Sequence, residues 1–312
     1  MNLHALRDQP SPDLARALSE FDSRFTYPLG ECRTFRIDHG HDYPRFFRAM
    51  GEARCFVAER QGRVLGAVAV AIRSIQLADG GRRQAAYIGD LKIDPALRGS
   101  LAFLRLARAA DAWARPQVSA AYGVVMDGTS ASPESYTGRI GIPPFLQIGK
   151  IIVLRFATAM AAGSCPIVSA TQGAEVYRSL SRGRLVAIGG NPAERSEMAP
   201  VWFVQPQGLS CGRLEDTRRA KRLFDSGGQE MRSAHLACFA WATPSAALEV
   251  LGAARAHAAR LGFPHLFVAV SQTDMKSLEP VINGIDKVIA PATIYGVGLP
   301  GESEWSINTS EI

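Results

Sequence analysis

The stretch YIGDLKIDPALRGSLAFLRLARAADAW, residues 87 to 113, sets an apolar strand directly before a long helix. The strand closes at Asp94-Pro95, and Arg98-Gly99-Ser100 opens the helix. Phe103, Leu106, Ala110 and Trp113 recur at helical spacing as one stripe, while Arg105, Arg108 and Asp111 face elsewhere. A helix that follows a strand this closely turns the N–H groups of its first turn outward, and the helix dipole adds partial positive charge there. Such a turn can take a phosphate, with Arg98 as a cation, Gly99 giving backbone freedom and Ser100 a hydroxyl. The same turn also occurs in α/β proteins that hold nothing, Arg98 then being solvated surface.

Upstream, CFVAER (55–60), VLGAVAVAIRSIQL (64–77) and the run ending in YIGDLKID are separated by Gln61-Gly62-Arg63 and Ala78-Asp79-Gly80-Gly81, which predicts consecutive antiparallel strands. Downstream, Pro116 ends the helix, AAYGVVMDG (120–128) reads as a buried strand, SASPESYTGRIG (130–141) as a short helix, and FLQIGKIIVLRFAT (145–158) as two strands or one long one. The second half repeats this order. HLACFAW (235–241) is a strand, and Thr243-Pro244 caps a helix with Leu248, Leu251, Ala258 and Leu261 on one side. Gly262 stops that helix, and HLFVAVS (265–271), a helical segment near SLEPVI (277–282) and KVIAPATIYGV (287–297) follow. Residues 158–200, rich in Ala, Gly, Ser and Pro, are expected to connect the halves, with IVSA and GRLVAIGG as strand candidates inside them. LEDTRRAKRLF (214–224) reads as a basic helix or exposed loop with a solvated face.

At 312 residues and 47% hydrophobic content the chain can bury large cores. It contains no apolar run of the roughly 18–20 residues that a membrane span needs, and MNLHALRDQPSPDLARAL lacks the apolar centre of a signal peptide, so a soluble cytoplasmic protein with no membrane partner is expected. Cys32, Cys55, Cys165, Cys211 and Cys238 are odd in number and never spaced C-x-x-C, which fits buried small hydrophobes rather than disulfides or zinc. The +6 net charge suits an anionic ligand but is spread along the chain, with no aromatic-studded basic run to mark nucleic-acid binding. His39-Gly40-His41 lacks a third ligand and reads as a surface loop, so no metal is assigned. Hydrolase elbows and Walker loops are absent from the sequence.

The order of two strands, YIGDLKIDP, the Arg98-Gly99-Ser100 helix start, a strand and a Tyr-bearing short helix resembles the GNAT superfamily of N-acetyltransferases over about residues 30 to 157. The resemblance implies an α/β (α+β) fold of two GNAT-like domains in tandem, each a mixed, largely antiparallel sheet flanked by helices. Residues 1–160 form the acyl-CoA-binding domain and 161–312 a degenerate copy. The family cradles the pyrophosphate of acetyl-CoA on a turn written R/Q-x-x-G-x-G/A. Arg98 matches its first position, whereas Leu101 and Phe103 stand where the small residues belong, and their bulk would narrow the site. By the same resemblance, amides from Gly99 through Ser100, Leu101, Ala102 and Phe103 face the phosphates, and the backbone of Leu91, Lys92 and Ile93 holds the pantetheine arm. Asp90 stands where a general base is expected and Tyr136 where an acid is expected. Both have structural alternatives, a strand-end acid paired with arginine and a packing tyrosine.

Three functions follow. The first is an acyl-CoA-dependent N-acyltransferase, passing acetyl from acetyl-CoA to a small-molecule or peptide amine. The second is a silent tandem GNAT-like sensor, favoured by Leu101 and Phe103. The third is an aminoacyl-transferase using charged transfer RNA, for which LEDTRRAKRL is the local basic candidate. In the second half, Trp241-Ala242-Thr243-Pro244 carries neither arginine nor glycine, and Pro244 removes an amide, so that half is expected not to bind the cofactor.

Overall fold

The structure is a computed structural model of the chain and describes all residues except Cys32, residues 98–100, Ile140, residues 161–164 and Glu302. The sequence expectations for Arg98, Gly99 and Ser100 therefore lie outside the described residues.

The chain opens with β1 (Asn2–Leu6) and α1 (Pro12–Asp22), whose Ser11 cap accepts from the Leu14 N–H. Then come β2 (Tyr27–Pro28), β3 (Thr34–Asp38) and the single turn α2 (Arg45–Arg48). The antiparallel run β4 (Glu52–Arg60), β5 (Arg63–Gln76) and β6 (Arg82–Ile93) follows as the Gly turns predict. α3 (Leu101–Ala114), β7 (Ala121–Met126), α4 (Pro133–Tyr136) and β8 (Leu146–Ala157) complete the first half, β8 being one unbroken strand.

The segment expected to be a connection is itself structured. It carries β9 (Ile167–Val168), α5 (Ala170–Leu180), β10 (Leu185–Ile188) and α6 (Pro192–Arg195), and β10 returns to pair with β5. Next are β11 (Val201–Val204), β12 (Ser210–Glu215), β13 (Arg222–Asp225), β14 (Ser233–Trp241), α7 (Pro244–Arg260), β15 (His265–Ser271), α8 (Gln272–Ile282), β16 (Lys287–Val297) and β17 (Trp305–Ser306).

The main sheet runs in the order β1-β4-β5-β6-β7-β16-β8-β15-β14-β12-β11-β9. The two closing strands are exchanged: β16 pairs with β7 from Ala292↔Met126 to Val297↔Ala121, and β8 pairs with β15 from His265↔Ala157 to Ser271↔Ile151. Each half thus completes the other's sheet. A second sheet, β13-β3-β2, lies over the shared face, its register Arg222↔Asp38 to Asp225↔Phe35 again joining the halves. No helix of the described residues is long and apolar enough to cross a membrane.

Two helix faces differ from the sequence reading. α3 buries Ala102, Leu106, Ala110 and Ala114, a stripe turned by one residue from Phe103 and Trp113, because the alanines let the helix axis come close to β4–β6. α7 likewise buries mostly alanines, and Leu261 lies at its C-cap, exposed. LEDTRRAKRLF is neither a helix nor a solvated face. Glu215 at the end of β12 and Asp216, Thr217 and Lys221 in the turn before β13 are buried, and Asp216 accepts from the N–H groups of Glu197, Met198 and Arg218. These are non-local partners, which composition does not reveal.

The facing of α3 is testable by chemical denaturation. Leu106, 0% exposed, should cost about 2–5 kcal/mol when cut to alanine. Leu101→Ala, at 65% exposure, should stay within about 0.5 kcal/mol of the parent. Equal losses would refute this packing.

Candidate active site

β6 and β7 pair in parallel only at Ala86↔Ala121 and Tyr87↔Tyr122. Beyond that point they diverge, β6 continuing to Ile93 along β5 and β7 to Met126 along β16. The result is a wedge whose apex is tight, since a Cβ on Gly123 would lie 2.7 Å from the Ile88 carbonyl oxygen. The edge of β6 from Ile88 to Ile93 faces this wedge and has no second strand partner among the described residues.

A bulge sits in the same place. The register of β5 with β6 shifts between Ala67↔Lys92 and Ala69↔Gly89, leaving Asp90 and Leu91 opposite Val68, and Asp90 takes φ +54°. The extra residue resets the alternation of side chains. Ile88, Leu91 and Ile93 pack on the α3 face, whereas Tyr87, Asp90 and Lys92 share the opposite face.

On that face Lys92 Nζ lies 2.8 Å from Asp22 Oδ1 and 2.7 Å from Asp90 Oδ1. Asp22 Oδ2 is 3.0 Å from His39 Nδ1, which is 3.7 Å from Asp90 Oδ2. The Tyr43 hydroxyl donates to Asp90 Oδ2, and that of Tyr27 to Oδ1 at 3.4 Å. Burial opposes the charge on Asp90, but Lys92, His39 and Tyr43 outweigh it and hold the carboxyl at about 2. Burial likewise works against the Lys92 ammonium, yet Asp90, Tyr27 and Asp22 raise it above the ordinary lysine value. Burial is the main cause that keeps Tyr27 and Tyr43 protonated.

His39, expected on a surface loop, is 4% exposed. It packs against Tyr43, Phe46 and Phe47, and its carboxylate partner comes from α1. Asp22, His39 and Asp90 offer ligand atoms within 4.8 Å of one another, a spacing that would suit a metal ion. Lys92 reaches both carboxylates of that group, so its ammonium supplies the cation. Asp90 was read from the sequence as a general base or an arginine partner. It is paired with Lys92 of its own strand, which with His39 and Tyr43 holds its carboxyl below the usual carboxylate range.

Lys221 was missed altogether. Its Nζ sits 4.3 Å from the centre of the Phe46 ring and donates to the Ile312 carbonyl oxygen. Burial, with Arg195 and Lys92 adding to it against the pull of Asp90, brings the amine down to about 7.

On the other side of the sheet, Leu101 is exposed at the first residue of α3. Phe103 meets Tyr136 edge to face, with ring centres 5.5 Å apart, and so fixes the tyrosine against the start of α3. Burial above all, then Tyr295, raises the Tyr136 hydroxyl to about 12, so it keeps its proton at neutral pH. The turn before α3 is braced by Asp94, which accepts from the Ala96 N–H at 3.0 Å, Arg63 at 2.7 Å and Arg24 at 3.1 Å.

No protein-family model matches the sequence, and no curated protein is similar to it in sequence. Solved structures are similar in shape. Saccharomyces cerevisiae N-myristoyltransferase with bound myristoyl-CoA superposes with a TM-score of 0.63 at 10% identity, covering 97% of this chain and 84% of that one. A second structure of that enzyme gives 0.64 at 9% identity, with 99% and 81% covered. The chain has the GNAT-like fold of N-myristoyltransferase. A probable N-acyltransferase from Enterococcus faecalis gives 0.50 at 12% identity, covering 95% of this chain and 72% of that one. The mixed, largely antiparallel sheet flanked by helices read from the sequence is the observed one, and it runs as one continuous sheet in which β16 and β8 stand between the other strands of the two halves.

Two measurements test the charge network. Lys92→Met leaves Asp22 and Asp90 buried without their cation and should cost about 3–5 kcal/mol in urea unfolding; a loss below about 1 kcal/mol would show that the pairs are not formed. Lys221 has a folded value of about 7 against 10.5, so its destabilising effect is complete below about 7 and fades as the pH rises toward 10.5. Stability should therefore rise across that window in the parent, and Lys221→Met should abolish that rise while stabilising the protein at neutral pH. A parallel pH profile for the two proteins would contradict the assignment.

Proposed function

We propose that the chain is an acyl-CoA-dependent N-acyltransferase that passes an acetyl group from acetyl-CoA to a small-molecule or peptide amine. The observation that carries this reading is the wedge between β6 and β7 with the Asp90 bulge at its side. Acyl-CoA would supply the acyl group activated as a thioester. The free edge of β6 at Leu91, Lys92 and Ile93 suits an extended amide-bearing arm, which can add to it as a strand would. Arg98 and the first-turn amides from Gly99 to Phe103 are assigned to the pyrophosphate. Tyr136, protonated at neutral pH, is assigned to hold the proton that the leaving sulfur takes. Asp90 is assigned to positioning, its charge fixing Lys92, Tyr27 and Tyr43 beneath the wedge.

The tight floor of the wedge favours a short acyl group over a long one. Tyr87 and Tyr122 have ring centres 5.4 Å apart, Tyr122 and Trp305 5.1 Å, and behind them is a cavity of only about 10 Å³. In this reading residues 1–160 carry the reaction, residues 161–312 complete the sheet and wall the acceptor side, and the protein works in the cytoplasm.

The sensor reading gains from one observation, the close pairing of Asp90 with Lys92 at 2.7 Å, which occupies the carboxylate expected to act as base. The transfer-RNA reading loses its local candidate. Arg218 pairs with Glu197 at 3.1 Å and Glu230 at 3.4 Å, Arg222 approaches Glu197 at 3.8 Å, and Lys221 is buried.

An acetyl-CoA assay over a panel of amines and peptides separates the first two readings. Turnover in the parent that falls about 10²–10⁴-fold in Tyr136→Phe, with KM for acetyl-CoA little changed, is the expected result. Unchanged turnover in Tyr136→Phe would remove the acid role. Binding of acetyl-CoA with no product on any acceptor would favour the sensor.

A further inference from the structure

The second half repeats the wedge. β14 and β15 pair in parallel from Ser233↔His265 to Leu236↔Val268 and then part. The register of β12 with β14 shifts between Cys211↔Ala240 and Arg213↔Ala237, and Cys238 takes φ +50°, the counterpart of Asp90 at +54°. At this second bulge the Cys238 N–H donates to the side-chain carbonyl of Asn308 at 2.8 Å. Asn308 is 8% exposed, and its amide nitrogen donates to Glu311 Oε2 at 3.0 Å. Three residues before Cys238, on the same strand, His235 Nδ1 lies 2.9 Å from Thr309 Oγ1. The second wedge is thus filled from within by a carboxamide, an amide carbonyl set against a bulge N–H.

The segment that carries Asn308 also touches the first wedge. Trp305 packs on Tyr122 and donates from Nε1 to the Ile148 carbonyl at 3.3 Å, at a place where Gly149 leaves room for the indole. Glu311 Oε2 accepts from Arg73 Nη1 at 3.0 Å, and Arg73 is on β5, beside β6. Tyr87, Tyr122, Asn308 and Glu311 line one small cavity at the base of the first wedge.

We propose that Asn308 is a built-in ligand of the second wedge, and that this clamp positions the segment from Trp305 to Glu311 as the floor of the first. The second half's bulge then has a present use: it grips the piece of chain against which the first half's tyrosines pack. Asn308 is a positioning residue. Its effect on acyl transfer rests on the acyltransferase reading, whereas the clamp does not.

Hydrogen exchange followed by mass spectrometry, on the full chain without added cofactor, tests the clamp. In Asn308→Ala, peptides covering 233–241 and 305–312 should exchange about tenfold faster, and so should the peptide covering 121–126 in the first wedge. Acetamide, which restores the missing carbonyl, should slow all three again. Asn308→Ser, whose hydroxyl is too short to reach the amide, serves if the alanine variant does not fold. Faster exchange confined to 305–312, or no slowing of 233–241 by acetamide, would overturn the proposal. Calorimetry with acetyl-CoA adds a separate arm: affinity should fall several-fold in the variant, while a parent that binds no acetyl-CoA would sink the acyltransferase reading and leave the clamp to be judged by exchange.

Discussion

A non-glycine residue held in the left-handed region within a strand costs on the order of 1–3 kcal/mol, and it persists only when its surroundings fix it. Asp90 is such a residue, and the ion pair with Lys92 is what fixes it. Both side chains leave β6 on one face because the bulge resets the alternation, and Asp22 from α1 closes the group from above. The wedge between β6 and β7 begins beside this bulge. Removing the lysine would leave two buried carboxylates to repel each other, and either could be relieved only by protonation or by opening the strand.

The exchanged closing strands explain why the halves do not separate into independent domains. β7 finds its outer neighbour in β16, and β15 in β8, so neither half has a complete sheet alone. The small sheet of β13, β3 and β2 adds a second bridge over the same face. The strands of the second wedge are thereby held in place by the first half's strand β8.

Local patterns in the sequence were enough for the antiparallel run β4–β6, for α3 and α7, and for the repeated order of elements, since each rests on spacing and turn residues within a few positions. Charges buried by distant partners were not legible. His39 is 17 residues from Asp22, Lys92 is 70 from it, and Arg73 is 238 from Glu311. The reading of residues 214–224 failed for that reason: an Asp216 carboxylate that accepts from three backbone N–H groups and a buried Lys221 look, in sequence, like a solvated basic run. Tyr136 stands out in the sequence by its place before a glycine, whereas its contact with Phe103 is visible only in the fold. The bulk of Phe103, which departs from the small residue of the resembled motif, has a visible use in holding that ring.

In the proposed function the edge of β6 from Ile88 to Ile93, unpaired by a second strand among the described residues, receives an acyl-CoA arm. The most direct measurement is backbone amide protection across β6 during a titration with acetyl-CoA. Saturable slowing of exchange in residues 88–93, absent in Arg98→Ala at the same concentration, is the predicted result. Saturable binding that leaves residues 88–93 unprotected, or no binding at all, would contradict the account.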